Sequence, residues 1–224
     1  MERWSAHGNV YLVTEQGLDA DGVRREVGDA DGIVEVVAHG DDWAEVVIWN
    51  PDGSTAELSG NATRIAAAWL GAERTTVRVG DREVAARRLS DGQIEQELGA
   101  VSVSPVERVA EYDVIPVDVG NPHAVVVGDP DELPSIGPIL ETHPRFPRRT
   151  NVQVARVDGP GRVTARVWER GVGETSASGT SAVAVAAATH RDGDVVVVSF
   201  PGGDLHVRLD RGRAWLTGTA ERVR

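Results

Sequence analysis

Two serines stand at matched places in this chain. Ser59 and Ser178 each precede a glycine, in "LSGNATRIAAAWL" and "SASGTSAVAVAAATH", and each Ser-Gly pair opens an alanine-rich segment. A serine so placed reads as the N-cap of a helix. The start of a helix offers unpaired N–H groups and the positive end of a dipole, which together make a ready anion site. Polar residues match upstream as well. Asn50 lies nine residues before Ser59, and Glu169, followed by Arg170, lies nine residues before Ser178. Two such helix ends facing one another would hold one carboxylate, with the serines on opposite sides of the carbon that carries it. That arrangement suits removing a proton from one face of an α-carbon and delivering one to the other. Capping accounts for either serine alone; the pair with its matched neighbours reads as a site.

Few elements are needed to position this pair. The segments at roughly 60–71 and 179–190 are apolar nearly all round, which predicts buried helices. A short helix is expected in "PDELPSIGPIL", and most of the remainder reads as short β-branched strands with turn residues between them. The turn Gly8-Asn9 recurs at Gly120-Asn121, each leading into a strand. The two recurrences are offset by 112 and 119 residues, and they read as an internal duplication. The expected architecture is α/β, with two similar halves whose sheets wrap around central helices.

Composition narrows the function. The 224 residues are 41% hydrophobic and 26% charged, enough for one large domain or two small ones. A net charge of −12 argues against binding nucleic-acid backbones, but not against a small zwitterion held in a pocket with its own field. "MERWSAHGNV" lacks a secretory pattern, and no apolar run is as long as a membrane span, so a cytoplasmic protein without membrane partners is expected. There are no cysteines, which excludes disulfides, zinc–thiolate sites and thiol nucleophiles. No metal site is read from the sequence.

Several longer motifs stand in order: "HGN" at 7–9, "NPDGSTAELSGNATRIAAAWL" at 50–70, "GNPHAVVV" at 120–127, "FPRRTNV" at 146–152, "WERGVGETSASGTSA" at 168–182 and "LTGTAERV" at 216–223. Through them the chain resembles the diaminopimelate epimerases, cofactor-independent enzymes that interconvert LL- and meso-diaminopimelate. The resemblance implies two pseudo-symmetric domains, each a sheet around a central buried helix, with the ligand in the cleft between them. The first would cover 1–110 with a returning strand at 211–224, and the second 111–210. Substrate contacts are implied for Asn9, Asn50, Asn121, Asn151, Glu169 and Arg170. The N–H groups around Gly60-Asn61 and Gly179-Thr180 would hold the reacting carboxylate. His123 and Glu169 would orient the acid–base groups Ser59 and Ser178. The implied partner is a small amino-acid substrate. Homodimerisation is also implied, although the sequence carries no signal for it.

The chain departs from the family where the chemistry is most demanding. The family's acid–base residues are cysteines, and here they are Ser59 and Ser178. A thiol has a pKa near 8.5, lowered to about 3.5–7.5 at favourable helix ends, whereas a serine hydroxyl is a weaker acid than tyrosine at about 10. A helix end contributes at most about 2 kcal/mol, or roughly 1.5 pKa units, which does not make an alkoxide at neutral pH. Serine therefore needs a partner base, for which His123 and Glu169 are the candidates. Gly60-Asn61-Ala62 and Gly179-Thr180-Ser181 each also lack a glycine that the family carries, and the chain is short between Leu70 and Gly120. Four readings remain open at this level: an epimerase with rewired chemistry, an amino-acid binder without turnover, a cysteine-to-serine version of an active enzyme, and a one-base isomerase or dehydratase.

Overall fold

A computed structural model of the chain describes residues 1–223. The chain divides into two compact units. One is Met1–Glu97 together with the chain from Thr217 onward, and the other is Leu98–Leu216.

The first unit runs β1 (Glu2–Ala6), β2 (Asn9–Thr14), α1 (Ala20–Glu26), β3 (Gly32–His39), β4 (Trp43–Trp49), α2 (Gly60–Leu70), β5 (Arg74–Val79) and β6 (Arg82–Arg88). The chain leaves this unit within β7 (Ile94–Ala100). The second unit runs β8 (Ser102–Val103), β9 (Glu107–Val109), β10 (Tyr112–Asp118), β11 (Pro122–Val127), α3 (Leu133–Glu141), β12 (Asn151–Gly159), β13 (Arg162–Glu169), β14 (Gly173–Thr175), α4 (Gly179–Thr189), β15 (Val195–Phe200) and β16 (Gly203–Asp210). The chain returns through β17 (Arg213–Gly218) to β18 (Glu221–Val223), which pairs antiparallel with β1.

One topology is used twice. In the first unit β1 and β2 are antiparallel, β2 and β3 parallel, β3 and β4 antiparallel, β4 and β5 parallel, and β5 and β6 antiparallel. In the second unit β10–β11, β11–β12, β12–β13, β13–β15 and β15–β16 repeat that sequence of pairings. A parallel pair cannot be joined by a tight turn, so a crossover is required. The helices supply it: α1 and α2 in the first unit, α3 and α4 in the second.

Helices α2 and α4 are central in their units. The first packs against β1 to β6 and the second against β10, β11, β12, β13, β15 and β16. Every residue from Gly60 to Ala68 and from Gly179 to Ala186 is buried, as their unbroken apolar character predicts. Helix α2 ends at Gly71, whose φ of 81° is the left-handed conformation that glycine adopts without a Cβ penalty; its N–H donates to the Ala67 carbonyl.

The structure differs from the sequence reading in three places. Helix α1 was not expected, because its seven residues bury only Gly22 and Val23, too few to show periodicity; Asp19 caps it by accepting from the Gly22 N–H. Strand β14, which no β-branched run marks in the sequence, folds back on β13 in a hairpin. Residues 98–110, expected in the first half, belong to the second unit, where β8 and β9 pair with β10.

Candidate functional site

In the second unit, α4 begins at Ser178, which has extended backbone angles and is nearly buried. Its side chain makes no cap hydrogen bond, so the hydroxyl and the first N–H groups of the helix do not satisfy one another. Strand β11 delivers His123 toward this helix start. The ring is buried, and its Nε2 lies 2.9 Å from Asn121 Oδ1. Because that oxygen only accepts, the network assigns the ring proton to Nε2. Nδ1 then accepts from Gln153 Nε2 at 3.0 Å, and the same amide nitrogen donates to Ser181 Oγ at 2.9 Å. Asn121 Nδ2 in turn donates to Thr180 Oγ1 at 3.5 Å. Asn121, His123 and Thr180 are thus linked at the start of α4.

Glu169 and Arg170 sit at the β13–β14 turn, closed by the Val172 N–H donating to the Glu169 carbonyl. Glu169 Oε1 accepts from Thr175 Oγ1 at 2.6 Å. Asn151 ties this turn to β11: its Oδ1 accepts from the Arg170 N–H and its Nδ2 donates to the Pro122 carbonyl, both at 3.0 Å. A buried carboxylate, Glu141, anchors the turn from below. It accepts from the Gly171 N–H at 2.6 Å and from Trp168 Nε1 at 2.9 Å, and pairs with Arg149 at 2.6 Å. The Trp168 side chain lies against Gly137 of α3, where a Cβ would come within 2.8 Å of it.

The first unit repeats part of this. Ser59 caps α2, accepting from the Ala62 N–H at 3.2 Å. Trp49, next to Asn50, donates its indole N–H to the buried Glu35 at 2.7 Å, as Trp168 beside Glu169 does to Glu141. Gly60 and Asn61 are held by Arg64, whose guanidinium is fully buried; it donates to the Gly60 carbonyl at 3.0 Å and to Asn61 Oδ1. Gln96 also donates to the Gly60 carbonyl, at 2.8 Å. Asn9 is buried at the start of β2. Asn50 engages its own turn, donating to Ser54 Oγ at 2.9 Å.

Burial pushes the His123 imidazole down to about 3; the Gln153 bond opposes this and the Arg170 charge adds to it. His123 is therefore a neutral, fixed-tautomer group at physiological pH and a poor base partner for a serine. A pH dependence follows. Between about pH 6.5 and 3 the unfolded chain binds a proton at this histidine that the folded chain does not, so its contribution is whole above 6.5 and lost as pH falls. We expect stability at pH 5 to be lower by about 2 kcal/mol from this group alone. Urea midpoints of wild type and His123→Gln at pH 5 and pH 8 test this. The variant should lose that part of the pH difference, and an unchanged difference would refute the assignment.

Comparison with known proteins adds to this geometry. A family model described as diaminopimelate epimerase matches residues 115–223. The diaminopimelate epimerase of Pelotomaculum thermopropionicum is 37% identical over 210 residues, covering 79% of this chain and 75% of that protein. The chain belongs to the diaminopimelate epimerase family. Solved structures share the fold at lower identity. A predicted epimerase from Pseudomonas aeruginosa matches with a TM-score of 0.76 at 15% identity, over 100% of this chain and 96% of that one. A hydroxyproline epimerase from Agrobacterium vitis, with bound trans-4-hydroxy-L-proline, matches with a TM-score of 0.67 at 16% identity, over 99% and 88%. The relatives are epimerases, that is isomerases, and the solved structures share the α/β fold expected from the sequence.

Against that family, the supports of the site are what motif reading missed. Gln153, Glu141, Glu35, Arg64 and Gln96 are buried polar or charged side chains. Their burial is the one property that marks them, and it is not visible in the sequence. Among the described residues no cluster of His, Asp or Glu is arranged to hold a metal, and no helix is long and apolar enough to cross a membrane.

Proposed function

We propose that this protein interconverts LL- and meso-diaminopimelate without a cofactor, Ser59 and Ser178 standing where the family carries thiols. The observation that carries the reading is the linked set at the start of α4. Asn121, His123 and Thr180 are joined there, and Asn151 fixes the turn bearing Glu169 and Arg170. A neutral imidazole with its N–H committed, next to uncapped helix N–H groups, is an environment built for an anion. In the second unit the N–H groups of Gly179-Thr180 are offered to the substrate carboxylate, and the first unit carries the corresponding groups at Gly60-Asn61. In the second unit Arg170, Glu169, Asn121 and Asn151 are assigned to the distal end of the substrate, and Asn9 and Asn50 are the first unit's candidates for substrate contact. Arginine suits the distal carboxylate because its fork grips two oxygens at once. Abstraction at one serine and delivery at the other inverts the α-carbon. None of the 224 residues is a lysine, so no side chain here anchors pyridoxal phosphate as an imine, which supports the cofactor-free route.

One observation favours a second reading. His123 is held neutral with both ring nitrogens engaged, and Ser178 has no base bonded to it. An amino-acid-binding homologue with little turnover fits those facts. Both readings share the distal site, which Arg170→Ala tests by calorimetry with LL-diaminopimelate. Affinity should fall by about 100-fold, the worth of a charge-assisted bidentate contact. Unchanged affinity removes the assigned role, and no binding by the wild type removes both readings.

A further inference from the structure

We propose that Tyr11 is the proton-relay partner of Ser59, the group that makes a serine workable in the first unit's half of the reaction. The inference rests on the epimerase reading above and extends it to a residue that the motifs do not contain. Tyr11 lies on β2, and its phenol oxygen is 3.4 Å from Ser59 Oγ. The chain clears a place for that ring. Gly32, opposite Tyr11 in the parallel β2–β3 register, would carry a Cβ 2.7 Å from the Tyr11 ring and 2.5 Å from the Trp49 carbonyl oxygen. Only a glycine lets the ring lie where its hydroxyl reaches the helix start.

The charge that such a relay needs is also present. Arg64 is fully buried one turn beyond Ser59, and among the described residues no carboxylate pairs with it. Its donors go to the carbonyls of Gly60 and Thr219 and to the amide oxygen of Asn61. Burial lowers Arg64 to about 9, still charged at neutral pH, and the one charge that opposes this is Tyr11. The coupling is reciprocal: the guanidinium favours the phenolate.

The proton balance is simple. When the half-site acts as acid, the Ser59 O–H proton goes to the substrate carbanion as the Tyr11 phenol proton moves to Ser59 Oγ, leaving a phenolate beside Arg64. When it acts as base, the steps reverse. The α-C–H bond breaks toward Ser59 Oγ, the Ser59 proton passes to the phenolate, and the electron pair stays on carbon, delocalised into the carboxylate. No free alkoxide forms. The charge appears on a phenol, intrinsically a stronger acid than a serine hydroxyl.

The test uses the full chain with LL-diaminopimelate in deuterated water, reading α-deuterium incorporation by NMR and affinity by calorimetry. Tyr11→Phe keeps the ring and removes the hydroxyl. It should lose at least about 100-fold in exchange, with affinity within about twofold. Adding Ser59→Cys to Tyr11→Phe should restore exchange, because a thiol needs no relay; a merely structural tyrosine would not be rescued that way. Wild-type exchange in Tyr11→Phe overturns the relay alone. So does failure of the thiol to rescue a variant that still binds. Binding without exchange in the wild type overturns the relay and leaves the ligand assignment standing, and no binding at all overturns both.

Discussion

Replacing Ser59 and Ser178 by cysteine together should raise the rate of diaminopimelate inversion by about 10³-fold or more. The estimate comes from acidity. At pH 7 a thiol of pKa 8.5 is a few per cent thiolate, while a hydroxyl less acidic than a phenol of pKa about 10 is ionised at least about 30 times less, and inversion uses one such group on each face, so two replacements together reach about 10³. The helix ends are already built for the thiolate: α2 and α4 both start at these residues with extended caps. The two single variants should differ. Ser59 has Tyr11 beside it, whereas Ser178 has no cap bond and a neutral His123 in its unit. Ser178→Cys alone is therefore expected to give the larger gain. Comparable small gains from either, or none from the pair, would show that the oxygen for sulfur exchange is not what limits the rate.

The second large effect concerns a residue outside the motifs. Glu141→Ala should cost about 3 kcal/mol of stability, and the surviving folded protein should bind diaminopimelate more weakly. Glu141 is 5% exposed and serves three donors. Its Arg149 partner is about half exposed, so that pair contributes little once water replaces it. The cost lies in the Gly171 N–H and the Trp168 indole N–H, each left without an acceptor, at about 1–3 kcal/mol apiece. Gly171 follows Arg170 directly, so loosening it frees the turn that carries both Glu169 and Arg170. Denaturant unfolding and calorimetry measure the two consequences. Lost stability with unchanged affinity would mean that Glu141 supports the fold and not the site.

Much of the scaffold is legible in the residues. The helices expected at 60–71 and 179–190 occupy Gly60–Leu70 and Gly179–Thr189, because serine caps and unbroken apolar runs mark both the ends and the burial. The matched spacing from Asn50 to Ser59 and from Glu169 to Ser178 corresponds to the repeated order of pairings. The partners of the site are another matter. Tyr11 meets Ser59 across 48 residues, Gln153 meets His123 across 30, and Glu141 meets Gly171 across 30. Such contacts are made by parallel pairings and crossovers, and no local pattern announces them. The two caps also look alike in sequence, yet Ser59 closes on its helix and Ser178 does not.

The proposed reaction is inversion of the α-carbon of diaminopimelate with serines in place of thiols. The most direct test is proton NMR of the unmodified protein with LL-diaminopimelate in deuterated water. Deuterium is expected at the α-carbon together with the meso isomer, at a rate well below that of a Ser59→Cys, Ser178→Cys form. Saturable binding with no exchange over the same time would contradict it and leave a binding protein in the fold of an epimerase.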